Sequence, residues 1–262
     1  MNTRQQYILE ELHRQREVSV HALATDLHVS ALTIRRDLEL LEHDGALTRT
    51  HGGAVLSKAS VIEFAFLDRA QDRSVEKLAI AKDVAAVVQP GMTIVLDTGT
   101  TTLEVARAIA GIPRLRVLTS SLAIASALHA YDNIDLVLLG GSVRHHSPDL
   151  SGPLTEENLK QFQTELAILG ADAVSHEGLY TSDMSIARIS QAMMACAREQ
   201  WLVVDSSKFT RRSFVKFADW SAITHLVTDA GVTASDREWL HACDCEQHFV
   251  SAKTQRTNTA SV

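Results

Sequence analysis

From about residue 77 the chain alternates short β-rich runs with helical stretches, and this alternation limits its fold more tightly than any other feature. The β-rich runs are Thr93–Leu96, Val117–Thr119, Leu136–Leu139, Leu166–Leu169, Leu202–Val204 and Leu226–Thr228. Helical spacing falls between several of them, at Leu103–Ile109, Leu122–His129 and Ile189–Ala197. Strands joined through helices lie parallel in one sheet, with helices covering both faces. The pattern therefore predicts a Rossmann-like α/β domain over residues 77–253. Hydrophobic residues are 45% of the 262 positions, enough to fill the core such a sheet needs.

Residues 1–57 follow a different rule. Ile8 and Leu12 share one face of a first helix. Ser19 is placed to cap a second helix, whose buried face carries Leu23 and Leu27. His28-Val29-Ser30 interrupts it, and Ser30 caps a third helix in which Ile34, Leu38 and Leu41 recur at helical spacing. Asp44-Gly45 ends that helix, and His51-Gly52-Gly53 turns a small hairpin between Leu47–Thr50 and Ala54–Leu56. Between the two parts, residues 58–76 read as a linker whose Phe64, Phe66 and Leu67 dock on the second domain. Residues 254–262 read as a disordered polar tail.

Two helices joined by a three-residue turn form the skeleton of a helix-turn-helix, whose second helix enters the major groove N-terminal end first. Here that end carries Ser30, Thr33, Arg35 and Arg36. A guanidinium can bridge O6 and N7 of a guanine, and the hydroxyls reach phosphates or a base edge. Arg49 and His51 on the hairpin are placed to act as a wing over the backbone or minor groove. The same helical pattern also occurs in proteins that bind no DNA. The net charge of −7 gives no help, and the first 58 residues hold seven Lys or Arg against eight acids. Duplex binding would then depend on where the charges sit, and dimerisation would double each contact.

In the second part, polar turns follow the strands. Asp97-Thr98-Gly99-Thr100-Thr101-Thr102 opens a helix, and a helix N-terminus offers free amides and the positive end of a dipole to an anion. An unliganded strand-to-helix cap would read the same way. Further turns are Thr119-Ser120-Ser121, Gly140-Gly141-Ser142-Val143-Arg144, Gly170-Ala171-Asp172 and Asp205-Ser206-Ser207-Lys208. If the strands are parallel, all these turns converge at one edge of the sheet, where ligands of such folds bind. Arg144 and Lys208 could neutralise a dianion, while Asp97 and Asp172 could accept from sugar hydroxyls.

The run Val29-Ser30, Thr33-Ile34-Arg35-Arg36-Asp37-Leu38, Leu41, Gly45 and Arg49-Thr50-His51-Gly52-Gly53-Ala54 resembles the DNA-binding head of the DeoR family of bacterial regulators. The likeness continues to about Asp229. It implies a winged helix-turn-helix followed by an effector domain similar to the ribose-5-phosphate isomerase and CoA-transferase fold. It implies Thr33, Arg35 and Arg36 at the DNA and Asp37 as an internal partner holding an arginine. It assigns Gly99, Thr100, Thr101 and Thr102 to a phosphate loop, and Ser120, Gly141, Arg144, Asp172 and Lys208 to a pocket rim. The implied function is a carbohydrate-operon repressor whose affinity for double-stranded operator DNA is set by a phosphorylated sugar. Two departures from the family pattern stand out: Asp172-Ala173 replace a serine and glycine, and Arg188 and Ser190 replace a glutamate and lysine ahead of Ala192-Met193.

An isomerase is the competing enzyme class, with a ligand-free adaptor as a third reading. Proton transfer beside a carbonyl needs a positioned base and acid. Where the isomerases have Asp-Gly-Ala-Asp, this chain has Leu169-Gly170-Ala171-Asp172, so no enzyme activity is expected. Cys196, Cys243 and Cys245 are too few, and odd in number, for a disulfide scaffold. Cys243 and Cys245 lie between His241 and His248, but the spacing is not that of a common zinc site, so neither metal nor cofactor is expected. No apolar run reaches the ~18 residues of a bilayer span, and Met1–Gln6 lack the apolar block of a secretory signal. A cytoplasmic homodimer or homotetramer with no membrane partner is the expected assembly.

Overall fold

The computed structural model describes residues 2–43, 45–56, 66, 68–144 and 147–252. The start of the linker, residues 58–65, its Leu67, the helix-ending Asp44 and the tail 254–262 lie outside the described residues. The chain divides into two compact units, one built on Met1–Asp68 and the other on Arg69–Arg144 and Pro148–Val262.

The first unit contains α1 (Thr3–Gln15), β1 (Glu17–Ser19), α2 (Val20–Asp26), α3 (Ala31–His43), β2 (Leu47–Arg49) and β3 (Gly53–Leu56). Asn2 and Gln5 cap α1 reciprocally, each side chain accepting from the other's backbone N–H. Ser19 caps α2 by accepting from His21 N–H, and Ser30 Oγ accepts from Thr33 N–H at the start of α3. Gly45 follows α3 with φ 75°. Ile8, Leu12, Leu23, Ile34, Leu38, Leu41 and Leu47 fill the core.

The hairpin is in fact three-stranded, in the order β1-β3-β2, because β1 pairs antiparallel with β3. Three residues are too few to show a period-2 pattern, and in the sequence Glu17–Ser19 looks only like the approach to a cap. Gly53 faces Ser19, and a Cβ there would lie 1.8 Å from the Val18 carbonyl oxygen. Only glycine lets the third strand close onto the wing.

The second unit opens with α4 (Ser74–Val87), which begins inside the segment read as linker. Its Lys77 is buried, with Nζ donating to the carbonyls of Arg69 and Asp72. The elements that follow are β4 (Thr93–Leu96), α5 (Thr100–Ile109), β5 (Leu115–Thr119), α6 (Leu122–Leu128), β6 (Ile134–Leu138), β7 (Ser142–Val143), β8 (Leu150–Ser151) and α7 (Pro153–Leu159). Then come β9 (Thr164–Leu169), β10 (Ala173–Ser175), β11 (Gly178–Thr181), α8 (Met184–Cys196) and β12 (Ala197–Val203). The unit ends with β13 (Val215–Ala218), β14 (His225–Asp229), α9 (Ala234–Leu240) and β15 (Glu246–Val250).

The main sheet runs β15-β14-β12-β9-β4-β5-β6, and every neighbouring pair in it is parallel. All six β-rich runs of the sequence are strands of this sheet, and β15 adds a seventh at its edge. The chain leaves β4 toward β5 and β6, then returns to the other side of β4 for β9 and the later strands. The strand order therefore reverses between β4 and β9. A small antiparallel sheet, β10-β11-β13, and the β7-β8 pair lie outside the main sheet. Among the described residues, no helix is long and apolar enough to cross a membrane.

Candidate functional site

The faces of α3 follow from its periodicity. Ile34, Asp37, Leu38 and Leu41 are buried, while Leu32, Arg35, Arg36, Glu39 and Leu40 are exposed. Arg35 and Arg36 thus stand in solvent at the leading half of the second helix, and neither forms an ion pair among the described residues. Asp37, next in sequence, turns inward. Arg4 Nε donates to Asp37 Oδ2 at 2.5 Å and Arg4 Nη2 to Oδ1 at 3.2 Å. This forked pair ties α1 to α3 and orients the helix that carries the two free arginines.

Ser30 and Thr33 are partly committed to the cap, with their hydroxyls 2.9 Å apart. Arg49 is not free: its Nη1 lies 3.4 Å from Glu39 Oε1 and 3.9 Å from Glu42 Oε2, and its backbone N–H donates to Glu42 Oε1. His51 is exposed on the wing turn.

In the second unit the polar turns converge at the carboxyl edge of the sheet, because the strands preceding them are parallel. Asp97 follows β4 and is 3% exposed. One of its oxygens accepts from Thr98 N–H at 2.8 Å, and the other accepts from Gly170 N–H at 3.3 Å and Ser190 Oγ at 3.4 Å. It thereby bridges the turns after β4 and β9, across the point where the strand order reverses. Burial pushes its carboxyl up to about 7, against the opposing pull of the Thr98 and Gly170 amides. Ser190, a departure from the family pattern, is brought to this centre from α8.

Gly99 precedes α5, and no side chain caps that helix. The amides of its first turn therefore have no side-chain acceptor. The three threonines do not act alike. Thr100 is half-buried, Thr101 is buried, and Thr102 is fully buried with its hydroxyl donating to the Gly99 carbonyl. Thr102 thus has its hydroxyl engaged within its own turn.

Ser120, after β5, is fully buried, and its hydroxyl has no hydrogen-bond partner among the described residues. The hydroxyls of Thr98 and Ser207 share that condition. Sequence reading passed over both as site residues, because an orphaned hydroxyl shows only once its neighbours are placed. A buried hydroxyl without a partner costs about 1–3 kcal/mol, so such groups mark where a polar ligand or water docks.

Gly141 has φ 128°, and a Cβ there would lie 2.1 Å from Thr155 Oγ1, so α7 approaches its turn against bare backbone. Arg144 lies 3.4 Å from the buried Asp149 and 3.9 Å from Asp183. Asp172 Oδ2 accepts from Thr181 Oγ1, Ser182 N–H and Ser182 Oγ, which binds its turn to the end of β11. Burial lowers the Lys208 ammonium pKa, helped by Arg211 and opposed by Asp205 and Asp172. That attraction places Lys208 within electrostatic reach of the Asp172 turn.

The cysteine–histidine cluster takes another form. His248 Nδ1 lies 2.9 Å from Asp83 Oδ2, and burial pushes the Cys245 thiol up to about 11. Among the described residues, no group of three His, Cys, Asp or Glu is arranged to hold a metal ion.

Comparison with known proteins gives two family matches. Residues 4–60 match the DeoR-like helix-turn-helix domain, and residues 72–230 match the DeoR C terminal sensor domain. The glycerol-3-phosphate regulon repressor of Haemophilus influenzae is 34% identical over 226 residues, covering 86% of this chain and 88% of that protein. The lactose phosphotransferase system repressor of Lactococcus lactis subsp. lactis is 33% identical over 234 residues, covering 88% of this chain and 92% of that protein. Among solved structures, ribose 5-phosphate isomerase A of Methanocaldococcus jannaschii is similar at 21% identity and a TM-score of 0.38, over 53% of this chain and 55% of that one.

Proposed function

The chain belongs to the DeoR family of transcriptional repressors, and from that premise we propose that it represses a carbohydrate operon by gripping operator DNA until a phosphorylated sugar binds its second domain. It is a DNA-binding regulator and not an enzyme. Leu169, which stands where an isomerase loop begins with a carboxylate, is a buried strand residue.

One observation carries the effector reading. At the reversal of strand order, Asp97 joins two turns beside an uncapped helix start, and the unpartnered hydroxyls of Thr98, Ser120 and Ser207 belong to the same set of turns. Open parallel sheets bind ligands at such a reversal, and an uncapped helix start suits phosphate. The amides of Thr100, Thr101 and Thr102 would take the phosphate, with Gly99 allowing close approach. Arg144 and Lys208 would balance its charge, and Asp97, Ser120, Gly141 and Asp172 would line the sugar. No cofactor enters this scheme.

On the DNA side, Arg35 and Arg36 read bases, Ser30 and Thr33 touch the backbone, and His51 and Arg49 form the wing. Residues 1–57 do the reading and 77–253 the sensing, joined through 58–76. A monomeric head contacts too little duplex for specificity, so the acting form is a homodimer or homotetramer in the cytoplasm. The sugar phosphate releases DNA by binding more tightly to the arrangement of heads that does not fit the operator.

The test is a gel shift on the DNA upstream of the chain's own gene, and on duplexes selected from a random pool, repeated with a panel of phosphorylated sugars. The expected result is a specific complex that one sugar phosphate dissolves and its unphosphorylated sugar does not. A complex indifferent to the whole panel would overturn the effector assignment, and failure to select any sequence would overturn the DNA assignment.

A further inference from the structure

We propose that Leu32 reads the C5-methyl group of a thymine in the major groove, beside the base pair engaged by Arg36. This rests on the DNA reading of the head and adds to it a determinant of sequence preference. Leu32 is the second residue of α3 and is 66% exposed. At about 100° per residue it lies roughly 160° around the helix from the buried Ile34, so it points away from the core. Arg36 follows one turn later on the same outward face.

The surroundings narrow what Leu32 can meet. Ser30 and Thr33, on either side of it in sequence, bond to each other. Glu39, further along the outward face, is drawn toward Arg49. The leading part of the face is therefore an aliphatic side chain followed by a free guanidinium, with no acid between them.

Leucine has no donor or acceptor, so it can neither hold a phosphate nor read the polar edge of a base. The one apolar feature that distinguishes base pairs in the major groove is the thymine methyl. Four residues of helix rise about 6 Å, close to two base-pair steps of about 3.4 Å. Leu32 and Arg36 together thus call for a thymine and a guanine within about two steps of each other in each half-site.

The experiment uses the full chain and duplexes that it selects from a randomised pool. Each thymine of the selected sequence is replaced in turn by deoxyuridine, which lacks only the methyl group. One thymine per half-site, within about two steps of a required guanine, should be sensitive, its replacement weakening binding about fourfold, the worth of one buried methyl. In Leu32→Ala that sensitivity should disappear while sensitivity at the guanine remains. Leu32→Gln should select adenine at that position, since glutamine pairs with N6 and N7 of adenine. The proposal fails if no thymine is sensitive in the parent protein, or if Leu32→Ala keeps the same sensitive thymine. A parent that selects no sequence at all would defeat the DNA reading itself, a result distinct from either.

Discussion

The reading face of the head and the sheet edge of the sensor domain both present polar groups, but in opposite states. Arg35 and Arg36 stand in solvent without an ion pair among the described residues. Around the sensor turns, Asp97 and Asp149 are buried, Asp97 already accepts from the Thr98 and Gly170 amides, and Arg144 is already within reach of two carboxylates. On the proposed reading, the difference follows the partners. Duplex DNA brings dense fixed charge and releases counterions on contact, so hydrated arginines need no prior partner. A small ligand must be enclosed, and the polar groups around it lose water, so the scaffold bonds charged ones such as Asp97 beforehand and leaves a few hydroxyls, those of Thr98, Ser120 and Ser207, unpartnered among the described residues.

The widest test of this contrast places a charge where the sensor keeps its amides open. Thr100→Glu puts a carboxylate at the first residue of α5, where it suits the helix itself. Against a phosphate about 4 Å away the repulsion is about 4 kcal/mol at an effective dielectric near 20. The variant should keep operator binding in a gel shift and lose its response to sugar phosphate. A normal response would place the ligand elsewhere.

The second test concerns the stability cost of a buried, pre-bonded acid. The Asp97 carboxyl is held at about 7, above the ordinary 3.8. Between those values the folded chain keeps a proton that the unfolded chain has lost, so stability falls as pH rises from about 4 to 7 and stays reduced above that. The ceiling is about 4 kcal/mol for a shift of this size. Asp97→Asn should therefore gain stability relative to the parent between pH 5 and pH 8 in urea unfolding. A pH-independent difference would mean that Asp97 is ionised throughout.

On the head, Arg36→Ala should cost about 1–3 kcal/mol of operator affinity and relax the preference at one guanine, with effector binding unchanged by calorimetry. Arg49→Ala should cost less than about 1 kcal/mol, because Glu39 and Glu42 already hold that side chain near the solvent-exposed surface. Equal losses for the two would erase the distinction between free and committed cations.

What the sequence revealed about each region reflects the range of the forces involved. Helix caps at Ser19 and Ser30, the α3 core positions and the six main strands were all legible, because caps act over three residues and core periodicity over ten. The short β1, the β10-β11-β13 sheet and the early start of α4 were not. Their residues carry little periodicity of their own and gain their structure from distant partners, as Glu17–Ser19 does from Gly53–Leu56. The candidate site divides the same way. The turn Asp97–Thr102 could be read directly, since a strand, a glycine and a helix start are local signals. That Asp97 would bond Gly170, that Ser190 would join them, and that Thr102 would spend its hydroxyl on Gly99 depend on contacts made after folding.

The capture of Arg49 by two glutamates bears on how such a protein finds its target. A chromosome offers millions of wrong sites, and each spare cation on a reading head would slow its escape from all of them alike. If Arg49 stays with those glutamates on DNA, the wing would offer fewer phosphate anchors, a shallower dependence on salt and a shorter stay on arbitrary sequence. On the proposed reading, an acidic chain with two exposed arginines on the second helix of its helix-turn-helix gives up raw grip and keeps the ratio between right and wrong addresses.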